Sequence, residues 1–193
     1  MDFFENAKKH FITITRHRHE VMKNCFRAGI GFQGLFHDLS KYSPAEFIPG
    51  AMYYQGTRSP NEQEREAIGY SRAWMHHKGR NKHHYEYWND FNVKTKREEG
   101  VKMPPRYFVE MLCDRVAASK IYCGDSYKDD SPLNYFLSKK GRVMINPETE
   151  RDLEEMLHFL AENGEKKFFR RLRKIVRKDR KERYEAGMKK LFK

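Results

Sequence analysis

The chain has 193 residues, with 39 Lys and Arg against 27 Asp and Glu for a net charge of +12, and it is 38% hydrophobic and 14% aromatic. That is one domain's worth of chain with enough bulky apolar side chains to fill a core, which excludes disorder over most of its length. No stretch approaches the roughly 20 apolar residues of a membrane span, and the start, Met-Asp-Phe-Phe-Glu-Asn, has neither the basic nor the apolar part of a secretory signal. Cys25, Cys113 and Cys123 are an odd count without C-x-x-C spacing, which argues against a disulfide framework and a cysteine zinc site, so a reducing cytoplasm is the expected location.

Helical periodicity runs through long segments and strict apolar and polar alternation is almost absent, so the expected fold class is all-α. The first helix is predicted from about Phe3 to Ala28, with Phe11, Ile14, Val21, Met22 and Cys25 facing inward. A short apolar helix follows near Phe32 to Leu39. Gly29 to Gly34 spells G-x-G-x-x-G, but it follows a helix and no βαβ unit surrounds it, so it reads as a turn between helices. Ser43-Pro44-Ala45-Glu46 is a capping-box start with Pro at the first helical position. Gly56 to Asn61 reads as a polar loop, Glu62 to His77 as a helix, and Asn89 to Lys102 as an irregular connection. Pro104 and Pro105 fit the entry of a helix carrying Met111, Leu112, Asp114, Ala118 and Tyr122. After a polar loop from Gly124 to Ser131, Pro147 to Leu160 is predicted helical, with Leu153, Met156, Leu157 and Leu160 as its apolar face and closure near Gly164.

Charge divides the chain into a body, residues 1–165, and a basic C-terminal segment, 166–193. The segment holds 14 Lys and Arg against three acids, a net +11, which leaves the body 25 bases and 24 acids. Phe168, Phe169, Leu172, Ile175 and Val176 recur at helical spacing, so the first half of the segment is expected to dock one apolar face and turn a basic face to water. Beyond Val176 the stripe stops until Leu191 and Phe192. A solvated basic helix is the plain reading, and a nucleic-acid contact the functional one.

The histidines carry the chemistry. His17 and His19, then His37-Asp38, then His76-His77 with His83-His84 supply imidazole and carboxylate, the ligand set for Mn, Fe, Co, Ni or Zn, in numbers sufficient for one or two ions. A histidine beside the apolar stripe of the first helix is, alone, more often packed than ligating. The run from His76 to His84 could equally be a basic, aromatic-flanked nucleic-acid surface. His37-Asp38 is harder to explain so, because an ionisable pair among Leu35, Phe36 and Leu39 costs several kcal/mol unless its charges are partnered. Asp114 repeats the problem beside Met111, Ala117, Ala118 and Ile121, with a buried arginine pair as the competing explanation.

His17 in His-Arg-His-Glu-Val, His37-Asp38-Leu39-Ser40-Lys41, the paired histidines, and Asp114 in Cys-Asp-Arg-Val-Ala together resemble the His, His-Asp, His, His, Asp order of the HD-domain metal-dependent phosphohydrolase superfamily. More closely, the chain is similar to a bacterial and phage family, known only as a domain of unknown function, with H-D-x-S-K followed by an Asn and a double His. The resemblance covers residues 10 to 160 and leaves out the basic segment. It implies an irregular helical bundle and a phosphate ester, with a small phosphorylated substrate such as a nucleotide. His17, His37, Asp38 and Asp114 would hold the first cation, and members of the set His76, His77, His83 and His84 would complete a second site or bind substrate. His17 is preferred to His19 because Val21 follows it by four residues, as in the superfamily's H-x-x-x-V. Asp38 would bridge two ions or take a proton. If the helix continues one turn past His37, Lys41 points the same way and can hold a phosphoryl oxygen. Arg80, Asn81, Lys82 and Arg115 are candidate substrate contacts, and Glu46 is either the capping-box acid or a support for the site. Tyr85, Tyr87 and Trp88 read as core before pocket wall. Two rivals stand beside this: a di-iron oxygenase on the same scaffold, and a nucleic-acid-binding or processing protein using the basic segment.

Overall fold

In the computed structural model, which describes residues 2–191, helix α1 spans Phe3–Ala28, the predicted extent. Asp2 caps it by accepting from the Phe4 N–H, and Gly29 closes it in the left-handed conformation. Its buried face is His10, Ile14, His17, Val21, Asn24, Cys25 and Ala28. Phe11 is exposed and Met22 half-buried, a correction to the expected stripe. The cause is that the polar residues at 10, 17 and 24, seven apart and so on one side of the helix, take that face. Asn24 earns its place by donating Nδ2–H to the Cys113 carbonyl 3.1 Å away.

Helix α2 is only Gly31–Leu35, where a helix to Leu39 was expected. A Cβ at Gly34 would lie 2.5 Å from the Cys25 Cβ, so the glycine lets α2 cross α1 at close range. The chain then turns through Phe36, His37 and Asp38 into a 3-10 turn, Leu39–Tyr42. Phe32 is 78% and Phe36 60% exposed, so the apolar letters around His37-Asp38 are not core; the pair itself is buried.

Helix α3 (Pro44–Met52) starts where predicted, but the capping box does not form. The Ser43 hydroxyl donates back to the Ser40 carbonyl (2.6 Å), and Glu46 turns inward. The single helix expected over Glu62 to His77 is two, α4 (Pro60–Ile68) and α5 (Arg72–Lys78). Gly69 ends α4 with φ 85°, and Ser71 caps α5 by accepting from the Trp74 N–H, 3.0 Å away. The connection from Asn89 contains an antiparallel hairpin, β1 (Asn89–Asn92) and β2 (Arg97–Gly100), with Asn89 opposite Gly100. Helix α6 (Pro105–Cys123) begins on Pro105 as expected, and α7 spans Ser131–Lys139.

Helix α8 (Pro147–Leu191) is broken at Gly164, whose φ of 75° and ψ of 163° turn the chain before it resumes. The core joins α1, α6 and both halves of α8 through Val21, Val109, Leu112, Val116, Leu157, Leu160, Phe168 and Leu172. Phe168, Phe169, Leu172 and Val176 are buried and Ile175 half-buried, the docked face expected of the basic segment. Two of its arginines have structural work. Arg173 donates to the carbonyl of Arg27 (2.8 Å) and Arg180 to that of Gly29 (2.8 Å), satisfying acceptors that the end of α1 leaves open. Phe192 lies outside the described residues. Among the described residues the fold is all-α apart from the hairpin, and no helix is long and apolar enough to cross a membrane.

Candidate metal centre

Four parts of the chain meet at one buried point. The middle of α1 brings His17, the turn before the 3-10 segment brings His37 and Asp38, α5 and the residues after it bring His77, His83 and His84, and α6 brings Asp114. Asp38 has φ 54° and ψ 26°, left-handed backbone that a residue with a Cβ seldom adopts and that short polar side chains tolerate best.

Of three groups of potential ligand atoms, two share Asp38, and the third, His37, His83 and Glu110, meets through the Nδ1 side of its imidazoles. His17, His37, Asp38 and Asp114 make the first, and Asp38, His77, His83 and His84 the second; within each set the ligand atoms lie within 4.8 Å of one another. The two oxygens of Asp38 divide between them. Oδ2 lies 3.7 Å from His17 Nε2 and 3.3 Å from His37 Nε2, while Oδ1 lies 3.3 Å from both His77 Nε2 and His83 Nε2. Asp114 Oδ1 closes the first set at 3.0 Å from His17 Nε2 and 3.6 Å from His37 Nε2. Lys41 Nζ stands 2.6 Å from Asp38 Oδ2.

Carboxylates outside the two sets decide which nitrogen each imidazole presents. Glu110 Oε1 lies 2.9 Å from His37 Nδ1 and 3.4 Å from His83 Nδ1, and Gln33 donates to its other oxygen. Glu46 accepts from His76 Nδ1 through one oxygen and from His77 Nδ1 through the other, both at 2.7 Å. An ionised carboxylate only accepts, so Nδ1 carries a proton, and on the neutral ring Nε2 is the nitrogen left with a lone pair turned inward. Asn81 Nδ2 bonds the His77 carbonyl (2.8 Å) and the Ser40 hydroxyl (3.0 Å), tying the Asn and Ser of the sequence pattern to one ligand. Arg18 donates to the carbonyls of Leu35 and His37 and so pins the turn that carries Asp38.

The electrostatics call for cations. Asp38, Glu46, Glu110 and Asp114 bring four carboxylates to this volume beside one fixed cation, Lys41, and the imidazoles of His37 and His77 are raised in response. Burial opposes ionisation of Asp38, but His37, Lys41 and His77 outweigh it and hold the carboxyl well below the usual range. Glu110 is likewise brought down to about 2, its bonds to His37 and His83 overcoming burial. His37 is pushed down by burial and raised further by Asp38, Asp114 and Glu110, ending well above an ordinary histidine. His84, buried beside His83 and His77, is lowered and keeps a free lone pair. Nε2 of His17, His37, His77, His83 and His84 and both oxygens of Asp38 are buried with no aligned hydrogen bond among the described residues; the short contacts of His17 to Asp114 and Lys41 to Asp38 miss hydrogen-bond angles. Converging imidazole nitrogens and carboxylate oxygens left unsatisfied could hold a metal ion.

A family model described as a family of unknown function, DUF5662, matches residues 6–159. The chain belongs to that family. No curated protein and no solved structure matches it. The matched span holds every residue of both ligand sets and ends before the break in α8.

Against the expected site, the structure brings together His17, His37, Asp38, His77, His83, His84 and Asp114, and places Lys41 at their edge. His19 is exposed on the far side of α1 from His17. His76 is not among the ligand atoms; it faces Glu46 beside His77. Asn81 holds Ser40 and His77. The charge of Arg115 acts on Tyr85, Glu86 and Tyr135. Lys41 reaches the site through a 3-10 turn and not through a continued α-helix. No arginine pairs with Asp114 among the described residues. Tyr85 and Trp88 pack on the core. Sequence reasoning missed Glu110, whose signal was an acid one turn before Asp114 on the same helix.

Proposed function

We propose that this family member is a metal-dependent phosphohydrolase of HD type, acting on a phosphate ester with one or two divalent ions of Mn, Fe, Co, Ni or Zn. The observation that supports it most is Asp38, a single carboxylate facing two ligand sets, with a lysine ammonium against one of its oxygens. Divalent cations in such a site supply Lewis acidity and lower the pKa of water from 15.7 to about 7. His17, His37, Asp38 and Asp114 hold one ion, and Asp38, His77, His83 and His84 the other. Each oxygen of Asp38 faces one set, so Asp38 would help hold a metal in either. Lys41, with 28% of its side chain exposed and burial outweighed by Asp38 and Asp114, stays charged at neutral pH. It binds a phosphoryl oxygen and holds the ester against the centre. Glu46 and Glu110 keep the imidazoles aimed while substrate enters and leaves.

The test combines elemental analysis of anaerobically purified protein with turnover of a panel of phosphate mono- and diesters, nucleotides included. Asp38→Ala and His37→Ala lose metal and turnover together, and Lys41→Ala keeps metal while its kcat/KM falls. Metal-loaded protein that leaves the whole panel intact refutes hydrolysis. Iron at two per chain with substrate-dependent oxygen uptake replaces it with the di-iron oxygenase.

A further inference from the structure

Lys41 and His77 have a second neighbourhood that the ligand sets do not use. They line a cavity of about 60 Å³ whose other walls include His10, Ser59, Asn61 and Tyr122. The wall is mostly apolar, but polar groups punctuate it and one of them is unsatisfied. His10 is 6% exposed, and its Nδ1 makes no hydrogen bond among the described residues. Burial, and then the charge of Lys41, lowers its pKa to about 4, so it is a neutral imidazole at pH 7. Ser59 stands at the start of α4, yet its side chain makes no capping bond. Asn61 accepts only a long bond from the Ser71 hydroxyl, 3.4 Å, which leaves its amide donor free. At about 60 Å³ the space suits a fragment of a few non-hydrogen atoms and is far under the roughly 300 Å³ at which pockets for drug-sized ligands begin.

We infer that this cavity receives the alcohol end of the substrate, so that the protein acts on small hydroxylated phosphate esters of glycerol-phosphate size and excludes nucleotides. The inference rests on the phosphohydrolase reading. Lys41 touches both the centre and the cavity, so a phosphoryl group it holds presents the ester's alcohol to Ser59, Asn61 and His10. These are neutral donors and acceptors, and Glu46, also in the wall, adds a carboxylate acceptor, so the lining suits hydroxyl groups and not a second negative charge. Hydrolysis joins a water oxygen to phosphorus, breaks the ester P–O bond and sends one water proton to the departing alcohol, which this cavity releases.

Hydrolysis-resistant probes test the pocket apart from the reaction. Manganese-loaded protein is titrated calorimetrically with 3,4-dihydroxybutylphosphonate, methylphosphonate and the 5′-methylenephosphonate of adenosine. The dihydroxy probe is expected to bind about tenfold tighter than methylphosphonate, the worth of one or two hydrogen bonds, and the adenosine probe no tighter than methylphosphonate. Asn61→Leu and Ser59→Val, both at partly exposed positions and checked for folding by their melting curves, are each expected to erase most of that preference. An adenosine probe that binds as tightly as the dihydroxy one overturns the inference, as does a preference that survives both variants or is absent from the wild type. Selective binding without turnover of any ester sinks the hydrolase and leaves the pocket. Efficient nucleotide hydrolysis does the reverse.

Discussion

Replacing Glu110 with Gln preserves side-chain size and removes the carboxylate that serves one histidine in each ligand set, at 2.9 Å from His37 Nδ1 and 3.4 Å from His83 Nδ1. A Gln oxygen can still accept from one imidazole. Wherever the Gln amide faces an Nδ1 instead, that ring must take its other tautomer and turn Nε2–H toward the metal, which ends its use as a ligand. Loss of such an orienting partner costs about 10–100-fold in metal affinity, or about 1.4–2.7 kcal/mol. The shorter bond puts His37's set toward the upper end of that range and His83's toward the lower, so both dissociation constants rise in Glu110→Gln. Competition against a chromophoric chelator reads both. In Glu46→Gln the loss is confined to the second set, because His77 is its only ligand held by Glu46. Two sites of wild-type affinity in Glu110→Gln would refute the claim that this carboxylate sets the tautomers.

Chelation is expected to destabilise the fold: a cation at a hundredfold excess over its Kd contributes about 2.7 kcal/mol, worth about 5–11 °C in Tm for a chain of this size, and a melting curve indifferent to chelator would count against a built site. Glu165 joins three elements through Arg27 (2.5 Å), Lys120 (2.5 Å) and Tyr127 (3.2 Å). Burial raises its pKa, but its bonds to Lys120 and Arg27 bring the net value below 4.5, so its stabilisation is full above that pH and is lost as pH falls through the folded value. Glu165→Gln is therefore expected to lower urea stability by about 1–2 kcal/mol at pH 7, with the gap to wild type closing as the carboxylate protonates at acid pH. Deleting residues 166–193 would strip Phe168, Phe169, Leu172 and Val176 from the core, so the nucleic-acid rival is better tested by changing Lys174, Arg177, Lys178 and Lys181, exposed on one helix face, to Gln. Stability should stay within about 0.5 kcal/mol, and a polyanion that uses this face would show a salt slope shallower by about 3–4.

Much of the site was legible because ligand chemistry leaves letters behind: His17, His37-Asp38, the double histidines and Asp114 stand out wherever their backbone goes. The extent of α1 and the proline entry of α6 were legible for the usual reason, uninterrupted periodicity and a stop. What stayed hidden was decided by partners distant in sequence. Glu46 looks like a capping acid until α5 brings His76 and His77 onto it, which needs the break at Gly69 that a periodic reading of Glu62 to His77 passes over. The choice between His76 and His77 depends on which side of α5 faces Asp38, and Trp74 and Lys78 do not announce it. The inward stripe of α1 was misread for the same reason. His10, His17 and Asn24 are buried because the other elements bring a cavity, a ligand set and a backbone carbonyl to them.

The turn at His37-Asp38 shows why the apolar letters around it misled. A helix through Leu39, as the sequence pattern suggested, would send Phe36, His37 and Asp38 out at successive 100° steps and could not aim His37 and Asp38 at one point. The left-handed backbone of Asp38, a conformation that costs about 1–2 kcal/mol, breaks that rotation so that His37 Nε2 and both carboxylate oxygens converge. The surrounding contacts that hold the turn are Arg18 on the Leu35 and His37 carbonyls, Glu110 on His37 and Lys41 on Asp38. Phe32 and Phe36 are left facing solvent as a consequence. Asp38→Asn, which tolerates the same backbone, is thus expected to fold with the turn intact and to bind metal far more weakly at both sets, separating the conformation from the charge; an Asn variant that retains two full-strength sites would show that the ligand sets do not depend on a shared carboxylate.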